Sequence, residues 1–459
     1  MSTEEMDRTT RTLRTTMETL RPGDAGYEEA ARVFFATGEP AVVVRPRDAE
    51  EVAAALTYAT RGGLPVSVRS GGHGLLGHGT NTGGLVIDLA RLDDVEILDA
   101  GRRVVRVGGG ATWGRVSAVL GSRGWAITSG DTADVGVGGL TLGGGIGWMV
   151  RRFGLAVDSL VGARVVTADG RIIRASSDEH PDLFWALRGG GGNFGVVVEL
   201  DFVAQPVATV HFGAVTYHLD DPVELVSRWR DTMRGAPDEL SSTLVLMPAA
   251  PGGSPSAQVL ACYAGDPGLP ATEGDARLDP LFSLGAVSRA TLSERRYADV
   301  LEEAREVPGV RMVVRNTLVR ALDPAVVDAI ARVHRAPGPR MIALRSLGGA
   351  FGRVEADATA FAHRDAEAMV VCGAMLPEAA GAADIGRALG PWGAVTVHGI
   401  GTYLNFQGSA TADDLAAAYP PATYARLAAV KRAYDPGNLF SLNHNVAPGR
   451  PAGAGNGRW

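Results

Sequence analysis

The run Arg69-Ser70-Gly71-Gly72-His73-Gly74 sets one imidazole inside a turn that holds three glycines. Glycines supply no side chain to pack, so such a turn lets backbone approach something closely. Successive N–H groups there form a nest suited to a phosphate or to a flavin edge, with His73 inside it. Taken alone, the run reads equally well as a surface turn with a solvated histidine. Two further runs shift that balance. One spans residues 135–147 and carries Val135, Gly138, Gly139, Thr141, Gly144 and Gly145. The other is Arg188-Gly189-Gly190-Gly191-Gly192-Asn193-Phe194-Gly195. All three lie between apolar, β-branched segments, and together they imply a long ligand laid across strand ends.

The elements that must position these turns are readable from periodicity. Strands are expected at 40–46, 66–69, 84–89, 95–98, 103–107 and 195–202, with a hairpin over 160–175. A helix is expected over 48–61, capped by Asp48, with Val52, Ala55, Leu56 and Ala59 on one face. Gly108-Gly109-Gly110 opens a second helix over 112–120, but its spacing is wrong for a dinucleotide fingerprint. After Pro206 the pattern changes. Strands at 210–218, 241–247, 257–263, 340–347 and 368–375 alternate with helices at 222–234, 324–334 and 359–365. That is an antiparallel sheet backed by helices. Residues 413–434 read as one terminal helix that stops at Asp435-Pro436-Gly437. Residues 1–20 read as a short helix or arm, and 448–459 as a frayed Gly/Pro-rich end.

Composition bounds the answer. The chain has 459 residues, 46% hydrophobic and 21% charged, enough for two domains with cores of their own. A net charge of −7 without a basic stripe argues against nucleic acid. No apolar run reaches the ~20 residues that span a bilayer, and residues 1–20 lack a secretory core. Cys262 and Cys372 sit in apolar runs and read as buried thiols in a reducing, cytoplasmic setting, with a disulfide open if the fold brings them together. Lys431 is the only lysine, which disfavours a Walker loop and lysine Schiff-base chemistry. No His/Cys cluster has the spacing of a metal site; His73 and His78 alone do not make one.

Residues 69–74, the 135–147 run, Tyr403-Leu404-Asn405-Phe406 and Tyr434-Asp435-Pro436-Gly437-Asn438-Leu439-Phe440 occur in an order that resembles the berberine-bridge-enzyme-like FAD-linked oxidases, flavoproteins of the vanillyl-alcohol-oxidase type. The resemblance covers 38–204 and 401–448. It implies an α+β fold: a two-part FAD-binding domain, residues 1–205 and 401–459, with an inserted antiparallel-sheet substrate domain, 206–400. It implies FAD attached covalently through His73. The cofactor would be lined by Arg69, Ser70, Gly71, Gly72, Gly74, His78, Gly130, Asp131, Val135, Gly138, Gly139, Thr141, Gly144, Gly145, Gly195, Val196, Asn405, Asn443 and Asn445. Partners would be a small-molecule substrate and O2; a homodimer is compatible with the pattern.

Three departures and matches refine the expectation. Thr132 stands where many relatives carry a second, cysteine tether, so a single histidine link is expected. Val135 occupies the family position proposed to admit oxygen, which favours an oxidase; simple strand packing explains a valine equally well. Phe406 replaces a tyrosine that serves relatives as base. General-base help is worth about 10²–10⁴-fold when an alcohol loses its proton. Tyr403, His398 or Tyr263 could serve instead, or the substrate is an amine whose lone pair needs no base. Tyr403 and Asn405 are the candidate catalytic pair. The expected reaction is hydride removal from a C–H beside oxygen or nitrogen, with H2O2 as co-product. The alternative is a tailoring enzyme that dehydrogenates or cyclises a natural product. Asp158 reads as a loop cap or as a residue that fixes a cofactor segment, the cap being favoured, and His363-Arg364-Asp365 as a solvated helix face.

Overall fold

The computed structural model describes residues 17–249, 253–266, 268, 271–305, 307–338 and 340–449. Residues 1–16 and 450–459, and with them most of the expected arm and frayed end, lie outside the described residues. Three larger sheets organise the rest. In the first, β1 (Glu18–Leu20), β2 (Val42–Arg45), β3 (Val66–Arg69) and β4 (Leu85–Asp88) run in the order β1-β2-β4-β3, and β4 is parallel to both β2 and β3. The crossover is α1 (Ala49–Gly62). Asp48 caps it by accepting from the Glu51 N–H at 2.8 Å, which satisfies a donor the helix cannot. Val52, Ala55, Leu56 and Ala59 pack on Val42, Val44, Leu85 and Ile87. Each fully buried aliphatic side chain stabilises by roughly 1.5–3 kcal/mol.

The second sheet is antiparallel throughout, in the order β8-β7-β9-β6-β5: β5 is Val95–Asp99, β6 Val104–Gly108, β7 Leu160–Val166, β8 Ile172–Ser176 and β9 Val196–Val203. The helix α2 (Trp113–Gly121) follows the Gly108–Gly110 turn with Thr112 as cap. A short helix, α3 (Val137–Gly143), forms inside the 135–147 run, where the glycine content predicts loop.

The third sheet has seven strands, all antiparallel: β10 (Thr209–His218), β11 (Leu240–Met247), β12 (Ser256–Tyr263), β13 (Val287–Arg296), β14 (Val310–Val319), β15 (Arg340–Ser346) and β16 (Ala368–Pro377), ordered β13-β10-β12-β11-β15-β16-β14. Its two faces are chemically different because side chains alternate. Leu244, Leu344 and Val370 pack on Trp229 of α5 (Pro222–Arg234) and Ile330 of α6 (Pro324–Arg335). Val245, Ala343, Met369 and Val371 turn to the other side, against Ile146, Val150, Leu155 and Tyr403. Here α4 is Pro181–Leu187, and the chain ends with α7 (Ala382–Leu389), α8 (Ala412–Ala418) and α9 (Pro421–Tyr434). Leu427 and Val430 of α9 share a core with Leu183 and Leu187 of α4.

Several expectations change. β13 and β14 were not legible: β13 is largely exposed and mixes charges into its sequence, so no clean alternation marks it. The single helix over 413–434 is two, because Pro420-Pro421 removes the needed N–H groups and Pro421 starts the second. No helix forms over 359–365. His363 and Arg364 are buried, not solvated. Arg364 forks onto both oxygens of Asp158 at 2.8 Å, and the His363 Nε2 lies 2.8 Å from the Ala417 carbonyl. Tertiary pairing overrides the local helical pattern there. Asp158 is also the cap expected of it, accepting from the Leu155 N–H at 2.8 Å. Lys431, the one lysine, is wholly buried, donating to Asp435 at 2.7 Å and to the carbonyls of Asn193 and Phe440. Cys262 and Cys372 are free and buried, and burial pushes both thiols up, Cys372 to about 11. No helix among the described residues is long and apolar enough to cross a membrane, and no His/Cys/Asp/Glu cluster there could hold a metal.

Candidate active site

The histidine turn and the 135–147 run lie back to back. A Cβ on Gly71 would sit 2.3 Å from the Gly136 nitrogen, and one on Gly136 would sit 2.1 Å from the Gly71 nitrogen. Only glycine at both places lets the two backbones meet. Ser70 Oγ donates to the Gly109 carbonyl at 2.6 Å, tying in the third glycine turn. Gly72 takes φ 75° and so aims the next residue, His73. Arg69 faces away: its guanidinium binds Asp88 and the Ala30 and Arg32 carbonyls. Only its backbone is available to a ligand.

His73 is held on two sides. Its Nε2 lies 3.0 Å from Asp134 Oδ2, and its ring stacks on Phe34 with centroids 4.8 Å apart. Burial lowers its pKa more than Asp134 raises it, which favours the neutral ring. His78 faces His444 at 6.5 Å between centroids; burial, then the second imidazole, lowers its pKa.

Tyr403 and Asn405 meet the same loops. The Tyr403 hydroxyl accepts from the Gly145 N–H at 2.9 Å and from Asn405 Nδ2 at 2.8 Å. Asn405 also donates to the Leu140 carbonyl at 3.0 Å. Burial pushes the Tyr403 phenol up to about 12 against those bonds. Tyr403 stacks on Phe406, with centroids 5.9 Å apart. Asn316 of β14 clamps the Tyr403 peptide at both ends, 2.8 Å each. The other bases considered are elsewhere: Tyr263 belongs to the helix-side core, and His398 sits beside Val397, which is 78% exposed.

Arg345 on β15 was missed from sequence. Its guanidinium lies 4.9 Å from the Phe406 ring centroid and pairs with Asp131. It opposes Thr243 and Met369 in the register, in the row next to Val245, Ala343 and Val371. A charge inside the apolar run 340–347 was the available signal. Burial alone would raise the Asp131 carboxyl; the Arg345 charge outweighs it and holds it below the usual range. Thr132 donates to the same carboxylate at 2.9 Å. Val135 is half-buried against the core of the second sheet, and Val196 is buried in β9. Gly195 packs on Val165 and Gly130 on Leu140.

Some polar atoms at this place lack partners. The buried Thr141 Oγ1, Asn443 Oδ1 and Asn445 Oδ1 have none, and a Cβ on Gly139 or Gly74 would meet open space. Buried polar atoms are normally satisfied, so these fit a polar ligand along the bare backbone. The nested glycine turns and the antiparallel sheets fit a flavoprotein of the vanillyl-alcohol-oxidase type. An FAD binding domain model matches residues 40–176, and a berberine and berberine-like model matches 402–447. (R)-6-hydroxynicotine oxidase of Paenarthrobacter nicotinovorans is 32% identical over 451 residues, 94% of this chain and 96% of that protein. The structure of 6-hydroxy-D-nicotine oxidase from Arthrobacter nicotinovorans superposes with a TM-score of 0.85 at 29% identity, covering 94% of this chain and 98% of that one. Glucooligosaccharide oxidase from Acremonium strictum, described with a 6-S-cysteinyl, 8α-N1-histidyl FAD, shares the fold at TM-score 0.82 and 24% identity, covering 96% and 99%. The chain belongs to the berberine-bridge-enzyme-like FAD-linked oxidases, and its cofactor is FAD.

Proposed function

We propose that this oxidase removes a hydride from a C–H beside nitrogen in a small amine, with FAD held covalently by His73 and O2 as final acceptor. One observation carries the choice of amine over alcohol: Phe406 stands where relatives place a base, and the neighbouring Tyr403 hydroxyl is already engaged. Phe406 has no proton to exchange, and Tyr403 already accepts two hydrogen bonds and is held up near 12. An amine lone pair drives departure of the hydride without a base. Bound FAD supplies the electron sink and passes electrons to O2.

The chain's own residues do the rest. Tyr403, Asn405 and Asn316 fix the backbone beside α3. Val245, Ala343 and Val371 give the facing sheet an apolar wall that excludes water. Arg345 and Asp131 set one polar pair at its edge. That wall suits a compact apolar amine better than a sugar, and the likeness to hydroxynicotine oxidases supports the same class. On this reading the cofactor lies against Ser70–Gly74, His78, Gly138–Gly145, Gly195–Val196 and Asn443–Asn445. The protein works in the cytoplasm, and the boundaries 1–205, 206–400 and 401–459 separate its cofactor and substrate parts.

Anaerobic mixing with a panel of secondary and tertiary amines, alcohols and aldoses tests the choice. Bleaching of the yellow absorbance by amines alone is expected, with H2O2 on admission of air. Bleaching by alcohols or aldoses, with none by amines, would reject it.

A further inference from the structure

We propose that Asp134 is the positioning residue that prepares His73 for attachment to FAD, by taking the Nε2 hydrogen bond and leaving the Nδ1 lone pair as nucleophile. The proposal rests on the reading that His73 is the linked residue. Four contacts support it. Asp134 Oδ2 lies 3.0 Å from His73 Nε2. Asp134 Oδ1 is itself held by the Ala304 N–H at 2.9 Å, so the carboxylate is oriented before any ligand arrives. Phe34 stacks on the imidazole at an interplanar angle of 26°, and its own N–H donates to the Gly72 carbonyl at 3.2 Å. The ring can therefore neither flip nor tilt without losing contacts.

A carboxylate can only accept. It puts the imidazole hydrogen on Nε2, and the partner of one ring nitrogen fixes the role of the other. Burial favours the neutral ring, so Nδ1 carries a free electron pair. On attachment, the 8α-methyl carbon of FAD loses a proton and bonds to Nδ1. Two electrons pass into the isoalloxazine, which takes up that proton and ends reduced. The imidazole, still carrying its Nε2 hydrogen, becomes a cation facing Asp134. O2 then accepts the two electrons and two protons, one from solvent, and leaves as H2O2.

The test uses wild type, H73A, D134N and D134E. Each is produced in riboflavin-starved cells so that it is recovered without flavin, then mixed with FAD in air. Total bound flavin is measured before acid precipitation and attached flavin after it. Wild type should attach FAD and H73A should not. The side-chain amide introduced by D134N can donate to Nε2, which would place the hydrogen on Nδ1. That variant should bind FAD but attach it on the order of tenfold or more slowly, since a wrong imidazole tautomer is costly. D134E, which restores the acceptor, should recover most of the rate. Acid-stable flavin in H73A would sink the underlying reading. Loss in H73A with wild-type attachment in D134N would sink the Asp134 proposal alone. One further measurement needs no variant: 15N NMR of flavin-free wild type should show the His73 hydrogen on Nε2, and finding it on Nδ1 overturns the proposal.

Discussion

The glycine turns and the seven-stranded sheet meet at one site but are built on opposite principles. At the turns the backbone does the contacting and side chains are absent by design: Gly71 and Gly136 approach to distances a Cβ forbids. At the sheet the backbone is consumed by its own ladder and only side chains reach the site. One face binds helices and the other presents Val245, Ala343, Arg345 and Val371. On the proposed reading, the contrast puts cofactor choice and substrate choice in different places. A shared cofactor needs a fixed backbone, whereas a substrate can be changed by single side chains on a rigid sheet.

The hardest test of that contrast lies on the cofactor side. Lys431→Met leaves Asp435 charged and without its partner at 0% exposure, and frees the carbonyls of Asn193 and Phe440. A loss of about 3–5 kcal/mol is expected, seen in thermal or urea unfolding; an unchanged midpoint would show that the tail does not brace the Gly-rich turn at 188–195. Gly71→Ala comes next, at about 1–3 kcal/mol from overpacking against backbone. It should also abolish flavin binding, read as yellow absorbance per protein, whereas Ala343→Gly on the sheet should leave flavin content intact.

Arg345→Met probes the sheet side. It keeps the contact with Phe406 but removes the charge beside Asp131. Flavin content should hold while kcat/KM falls on the order of tenfold; equal loss of flavin and turnover would show that the sheet also holds the cofactor. A smaller effect is set by pH. Burial lowers the pKa values of His73, His78, His334, His363 and His444 below their unfolded value of 6.5. Unfolded chains then bind more protons at low pH. Stability should be complete above about pH 6.5 and decline as pH falls through the folded values. A melting temperature flat from pH 7.5 to 5 would contradict this.

The parts of the cofactor side that were legible share a cause. Glycine spacing, the Asp48 cap, the apolar stripe of α1 and the hairpin over 160–175 are local signals, fixed by φ, capping and periodicity within a dozen residues. The family resemblance used the same local runs. The sheet was legible where a strand forms a mostly apolar run, as in β10, β11, β12, β15 and β16, of which β12 alternates most cleanly. The exposed, charge-bearing β13 and the mostly buried β14, whose arginines interrupt its apolar run, were not, and neither was the broken helix at Pro420-Pro421. The pairings that make the site were hidden altogether. Asp134 with His73 crosses about 60 positions, Asp131 with Arg345 more than 200, and Asp158 with Arg364 as many.

Residue order was enough to read three glycine-rich turns, a histidine within one of them, an antiparallel sheet after residue 206 and, through the family resemblance, a flavin cofactor. Only the packed chain reveals which acid holds that histidine, that Arg345 and Phe406 share an edge of the site, and that Tyr403 spends its hydroxyl on Gly145. Local rules fix what each segment can become, because they act over one turn or one strand. Which charged and aromatic side chains meet is decided when distant segments are packed together, and no local pattern carries that information.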